Sequence, residues 1–192
     1  MKLPTLRLIP LLLACATGLS AQERARWGVE IGLPLPMADV RRLGFDSGLL
    51  FGVTTQIQLT PRQFIRPALR LEGWIHGYGS GSPGDRSGGV YQAGADYLIS
   101  FSGSRQSSYF LAGAAYQVTK LRDRDDSPPA QDFGAWRPFG TGRALAWSVG
   151  FGSGLHYDVG LEARFTASRP EIAGTRVSVR AVELVLILRS WN

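Results

Sequence analysis

Two histidines, His76 and His156, and one cysteine, Cys15, are all that this 192-residue chain offers to nucleophilic or soft-metal chemistry. A serine nucleophile needs an imidazole beside it, yet His76 is followed by Gly77, Tyr78, Gly79 and Ser80, with no serine two residues on. His156 and Asp158 supply at most two ligands, too few for a metal site. A lone cysteine forms neither a disulfide nor a thiolate cluster. No catalytic residue, cofactor or metal is expected, and His76 reads as a member of a polar network. The segment 120–142 is chemically richer, since Arg122, Asp123, Arg124, Asp125 and Asp126 precede Phe133, Trp136 and Phe139. Mixed charge followed by aromatics suits binding at a surface, and the acid triplet is of the ligand type that calcium takes; a solvated, self-packed loop is the plainer reading.

The remaining charge has no such focus. Lysine and arginine together number 21 against 15 acids, but all except Lys2 and Lys120 are arginines, and they are scattered. The basic stripe of a nucleic-acid binder is missing, so no nucleic-acid partner is expected. With 24 glycines and 11 prolines, a helix bundle is disfavoured as well.

Lys2 and Arg7 flank the start of an apolar run at 8–14, and Leu19, Ser20 and Ala21 then lead into Gln22 and Glu23. This is the layout of a secretory signal peptide over 1–21, with cleavage expected after Ala21 and a mature domain over 22–192. Leu12-Leu13-Ala14-Cys15 also resembles a lipobox, which leaves lipidation at Cys15 as the alternative. No stretch reaches the roughly 20 apolar residues of a membrane-spanning helix.

The period of the apolar positions separates helix from strand, and here it is two. Trp27, Val29, Ile31 and Leu33 alternate with Gly28, Glu30 and Gly32; Phe51, Val53, Ile57 and Leu59 alternate with Gly52, Thr54, Gln56 and Gln58. Similar runs begin near Leu69, Tyr91, Phe110, Leu145, Val159 and Val177, giving eight strands. In the eighth, Val177 and Val179 lie on one parity while Val182, Leu184, Leu186 and Leu188 lie on the other, so a bulge near Ala181 is expected. Long connections at 34–48, 79–89, 120–142 and 167–176 alternate with short ones at 60–66, 102–108 and 153–157. That alternation belongs to an up-and-down transmembrane barrel. The expected fold is all-β, a closed eight-stranded antiparallel barrel.

Charge decides which face points inward. Glu30, Glu72, Asp96, Glu162 and Glu183 share the polar parity with Arg70, Arg164 and Arg189, and with Arg180 if the bulge intervenes. Nearly balanced charge suits an interior, where an unpaired ion costs several kcal/mol, and small residues on that parity leave room for arginine. Phe51, Tyr97, Phe110, Trp147 and Phe165 are too bulky for so narrow a lumen and fit lipid better. The opposite assignment would make the chain a soluble, lipocalin-like periplasmic carrier. Trp27, Phe101, Tyr109 and Trp191 fall near one rim, and Phe51 and Tyr91 toward the other, as an interfacial aromatic belt would.

With these features the mature chain resembles the small eight-stranded outer-membrane barrels of Gram-negative bacteria, the family of the transmembrane domain of outer-membrane protein A and its opacity-like relatives. The carriers are the signal peptide, the strand Tyr109-Phe110-Leu111-Ala112-Gly113-Ala114-Ala115-Tyr116 and the apolar terminal strand running to Trp191. The resemblance implies export through the periplasm, insertion into the outer membrane by the barrel-assembly machinery, and contact with outer-membrane lipids and lipopolysaccharide. It implies a structural, surface-interaction or adhesion role without a wide pore, with the 120–142 loop as the candidate contact for an unknown surface ligand. Some barrels of this size are lipid A-modifying enzymes, an alternative that the missing His-x-Ser pair disfavours. The chain stops at its eighth strand, so no peptidoglycan-binding domain is expected after it.

Overall fold

An alternating strand can cross lipid only if each of its amide groups finds a partner on a neighbour, which requires the last strand to pair with the first. The computed structural model, which describes residues 25–76, 87–101, 108–122, 140–154 and 158–190, meets that condition. Eight strands form the wall: β1 (Ala25–Met37), β2 (Phe45–Thr60), β3 (Gln63–His76), β4 (Ser87–Ser100), β5 (Tyr109–Arg122), β6 (Gly140–Ser153), β7 (Val159–Ser168) and β10 (Val179–Arg189). They close in the order β1-β10-β7-β6-β5-β4-β3-β2. All neighbours are antiparallel, and the closing seam pairs Val29 with Leu188 and Leu35 with Val182. Among the described residues no helix is long and apolar enough to cross a membrane; the wall strands, 10 to 16 residues long, meet the roughly 9–11 needed by a tilted strand.

The faces follow the parity argument. On β1, Trp27, Val29, Ile31, Leu33, Leu35 and Met37 point outward and are exposed, while Glu30 is buried. On β6, Leu145, Trp147, Val149 and Phe151 do the same around buried Ser148. This outward apolar girdle overturns the soluble-carrier alternative, whose apolar residues would line the lumen. The signal peptide and the lipobox at Cys15 lie outside the described residues.

Several boundaries differ from the expectation. The 34–48 connection is mostly ordered: β1 continues to Met37, one helical turn α1 (Ala38–Arg42) follows, and β2 begins at Phe45. Prolines 34 and 36 had suggested a loop, but they sit in a strand at the seam with β10, opposite Glu183 and Ala181. The turn at 60–66 is shorter, because β3 begins at Gln63. The 167–176 connection contains a small hairpin of β8 (Glu171–Ile172) and β9 (Thr175–Arg176), turned through Ala173 and Gly174 with φ of 50° and 76°.

The bulge at Ala181 is absent. Strand β10 pairs with β7 in unbroken register from Val179 to Leu188. Val179 and Ala181 are buried on the same side as Glu183, Val185 and Ile187, and Arg180 points outward. The apolar residues on the inner parity have a place to go. Val177 and Val179 join Val40, Leu43, Phe45, Trp74, Val90, Leu121 and Ile172 in a buried cluster at the end carrying the long connections. A second cluster of Phe64, Leu98, Tyr109 and Leu111 closes the end carrying the short turns. The charged residues lie between two apolar caps.

Candidate functional site

Alternation along β1, β3, β4, β7 and β10 aims their polar parity at the barrel axis, so carboxylates and guanidinium groups from different strands meet in a space closed to water. At the centre is Arg66, fully buried on β3. Its guanidinium donates to Glu162 at 2.5 and 2.9 Å and to Asp96 at 3.2 and 2.9 Å. Arg70, four residues further along the same face, donates to Glu30 at 2.6 and 3.2 Å and also to Asp96. Arg164 on β7 donates to Glu162 at 2.6 Å and to Glu30 at 3.3 and 3.4 Å. Three arginines thus neutralise three carboxylates, each carboxylate being shared by two guanidinium groups. Bidentate, charge-assisted hydrogen bonds of this kind are the strong ones, and sharing them removes most of the penalty of burying six ions.

The outer members complete the set. Glu183 on β10 lies 3.6 Å from Arg164. Glu72 accepts from Gln92 at 3.1 Å, and Gln92 in turn donates to Gln117 at 3.3 Å. Arg189 donates to the Gly154 carbonyl at 2.7 Å near the short-turn end. Tyr109 donates its hydroxyl to Glu162. The structure therefore brings Glu30, Arg70, Glu72, Asp96, Glu162, Arg164, Glu183 and Arg189 into one buried interior.

Arg66 was missed and Arg180 was misplaced. Thr60-Pro61-Arg62 and Pro67 are breaker signals, and they drew the turn outward over Arg66. Its position four residues before Arg70 puts it on the same strand face, which was the signal available. Arg180 belongs outside because no bulge separates it from Glu183. Tyr109 had been assigned to the rim belt, yet its ring is buried and its hydroxyl reaches a carboxylate; the first residue of a strand takes its parity from the rest, and Leu111 and Gln117 point inward too.

Glycines admit these side chains. A Cβ at Gly113 would stand 2.2 Å from Asp96 Oδ1 and 2.5 Å from Ser148 Oγ, and one at Gly152 would stand 2.5 Å from the Tyr109 ring. Both positions are places where a network side chain crosses its neighbouring strand.

Of the candidate interaction loop, Arg122 ends β5 and is exposed. Asp123, Asp125, Asp126, Phe133, Trp136 and Phe139 lie outside the described residues, as does His156. His76 ends β3. On the outer face Phe101, Phe110 and Phe151 form a ring cluster at the short-turn end, with centroids 4.8 to 6.1 Å apart. Lys120 stands over the Tyr91 ring at 5.0 Å toward the other end.

No family model matches the chain, and no curated protein does. Solved structures do. Ail, the attachment invasion locus protein of Yersinia pestis, in complex with the heparin analogue sucrose octasulfate, superposes with a TM-score of 0.51 at 15% identity over 87% of this chain and 98% of that one. Neisserial surface protein A gives 0.51 at 16% identity over 86% and 95%. A major outer membrane protein of Thermus thermophilus gives 0.50 at 13% identity over 86% and 99%. Strand number, closure and the apolar girdle agree with these likenesses: the chain has the fold of the small eight-stranded outer-membrane β-barrels.

Proposed function

We propose that this protein is an outer-membrane barrel that works through its outer surface and long connections, in a structural, surface-interaction or adhesion role, and neither conducts nor catalyses. One observation carries the reading: among the described residues the interior holds a buried charged layer between two buried apolar clusters. Side chains that fill an eight-stranded barrel leave no channel, and Glu30, Asp96 and Glu162 are each held by two arginines. What remains for function is the surface, with the 120–142 connection as its largest element. Outer-membrane lipids and lipopolysaccharide, and the barrel-assembly machinery during insertion, are the partners that such a protein requires.

The solved complex of Ail with a heparin analogue makes immobilised heparin the first surface to try. Cells displaying the chain should be retained on heparin or on an epithelial layer above cells displaying an unrelated barrel, and shortening 123–139 should reduce retention. Equal retention of all three would contradict an adhesive role. A steady porin-sized current in planar bilayers would contradict the closed interior.

A further inference from the structure

Arg169 and Arg180 line a groove of about 510 Å³ on the outer side of β6, β7 and β10, together with Leu145, Trp147, Phe165 and Ala167. Trp147 and Phe165 form its floor, their ring centroids 5.4 Å apart. The register fixes its height. Arg180 pairs with Met37 on one side and Ala167 on the other, two residues beyond the Leu35–Val182 pair, at the end of the girdle that carries the long connections. Arg169 follows Ser168, the last residue of β7. Among the described residues neither arginine has an ion pair; Glu171, the acid next to this site in sequence, stands opposite Arg176 in the backbone register of the β8–β9 hairpin.

Two guanidinium groups at the upper edge of a lipid-facing wall meet headgroups, whereas the aromatic floor beneath them meets acyl chain. Phosphate oxygens match the guanidinium fork, and a cation with no protein anion beside it is left to take one from the membrane. The short-turn rim below presents a cluster of aromatic rings on its outer face, and the groove of Arg169 and Arg180 stands at the opposite end of the wall. We propose that it holds one phosphorylated lipid of the leaflet facing the long connections, with its phosphate between Arg169 and Arg180 and an acyl chain along Trp147 and Phe165. The proposal rests on the membrane reading of the barrel and adds a specific lipid site to it.

The test uses the full chain folded in detergent, its fold checked by different gel mobility before and after boiling. Diphosphoryl lipid A and the same lipid stripped of its phosphates are titrated in, and native mass spectrometry follows the adducts. One phosphorylated lipid should be retained per protein, with the stripped lipid held at least tenfold more weakly. R169Q/R180Q should lose the preference, while R41Q/R42Q, which alters exposed arginines outside the groove, should keep it. Equal retention of the two lipids by the unaltered chain overturns the proposal without any variant. A native chain that shows no heat-dependent mobility contradicts the barrel itself, and the lipid site with it.

Discussion

Arg66 and Glu162 meet across the full width of the barrel, joined by hydrogen bonds of 2.5 and 2.9 Å. Their strands, β3 and β7, are four strands apart by either route around the wall. A bond along the diameter braces the barrel in a way that no pairing of neighbours can, and both of its side chains are fully buried.

Removing one end of that brace should be expensive. Arg66→Met leaves Asp96 and Glu162 each short of a partner, and a buried ion pair broken on one side costs about 3–5 kcal/mol. Urea unfolding in lipid vesicles should show a loss of that size. Adding Glu162→Gln to Arg66→Met should recover part of it, whereas independent losses that simply add would contradict direct coupling.

Glycines on the inner and outer faces should respond in opposite directions. Gly113→Ala places a methyl against Asp96 Oδ1 and Ser148 Oγ, and forcing volume into a packed interior costs about 1–3 kcal/mol. Gly73 has open space around it, so Gly73→Ala should be neutral or stabilise by up to about 1 kcal/mol through the unfolded chain. Unfolding midpoints of the two variants decide the matter, and a lower midpoint for Gly73→Ala would contradict the assignment.

The lipid face should reject charge. Val149 is 47% exposed in mid-strand, and arginine there should cost roughly 2–4 kcal/mol near the midplane, while Val149→Leu should be close to neutral. Folding yield into vesicles measures the difference. Ser148→Arg is a poor inward control, because Ser148 already lies 3.5 Å from Asp96 Oδ1 in a filled interior.

The faces were legible in the sequence because parity in a strand is strict: a charge at Glu30, Asp96 or Glu162 fixes the direction of every second neighbour. Register across the barrel was not legible. Nothing local in Arg66 says that its partner is Glu162, 96 residues away, and proline beside it imitated a turn. The apolar cap at the long-connection end was hidden for a related reason. Val40 lies on the helical turn α1, outside any strand alternation, and inner-parity apolar residues such as Val177 and Val179 read as a register break until the cap that they fill is seen. The charged layer was thus visible as a set of residues, and its pairing became visible only with the fold.

Bromine quenching of tryptophan tests the central claim most directly, because it reads which side of the wall faces lipid. Two forms of the chain are folded into vesicles with brominated acyl chains, one keeping only Trp147 and the other only Trp74, with the remaining tryptophans replaced by phenylalanine. Trp147 is 51% exposed on the outer face and Trp74 is 3% exposed in the cap. The account predicts strong quenching of Trp147 and little of Trp74; equal quenching, or the reverse order, would mean that the barrel does not present its apolar face to the membrane.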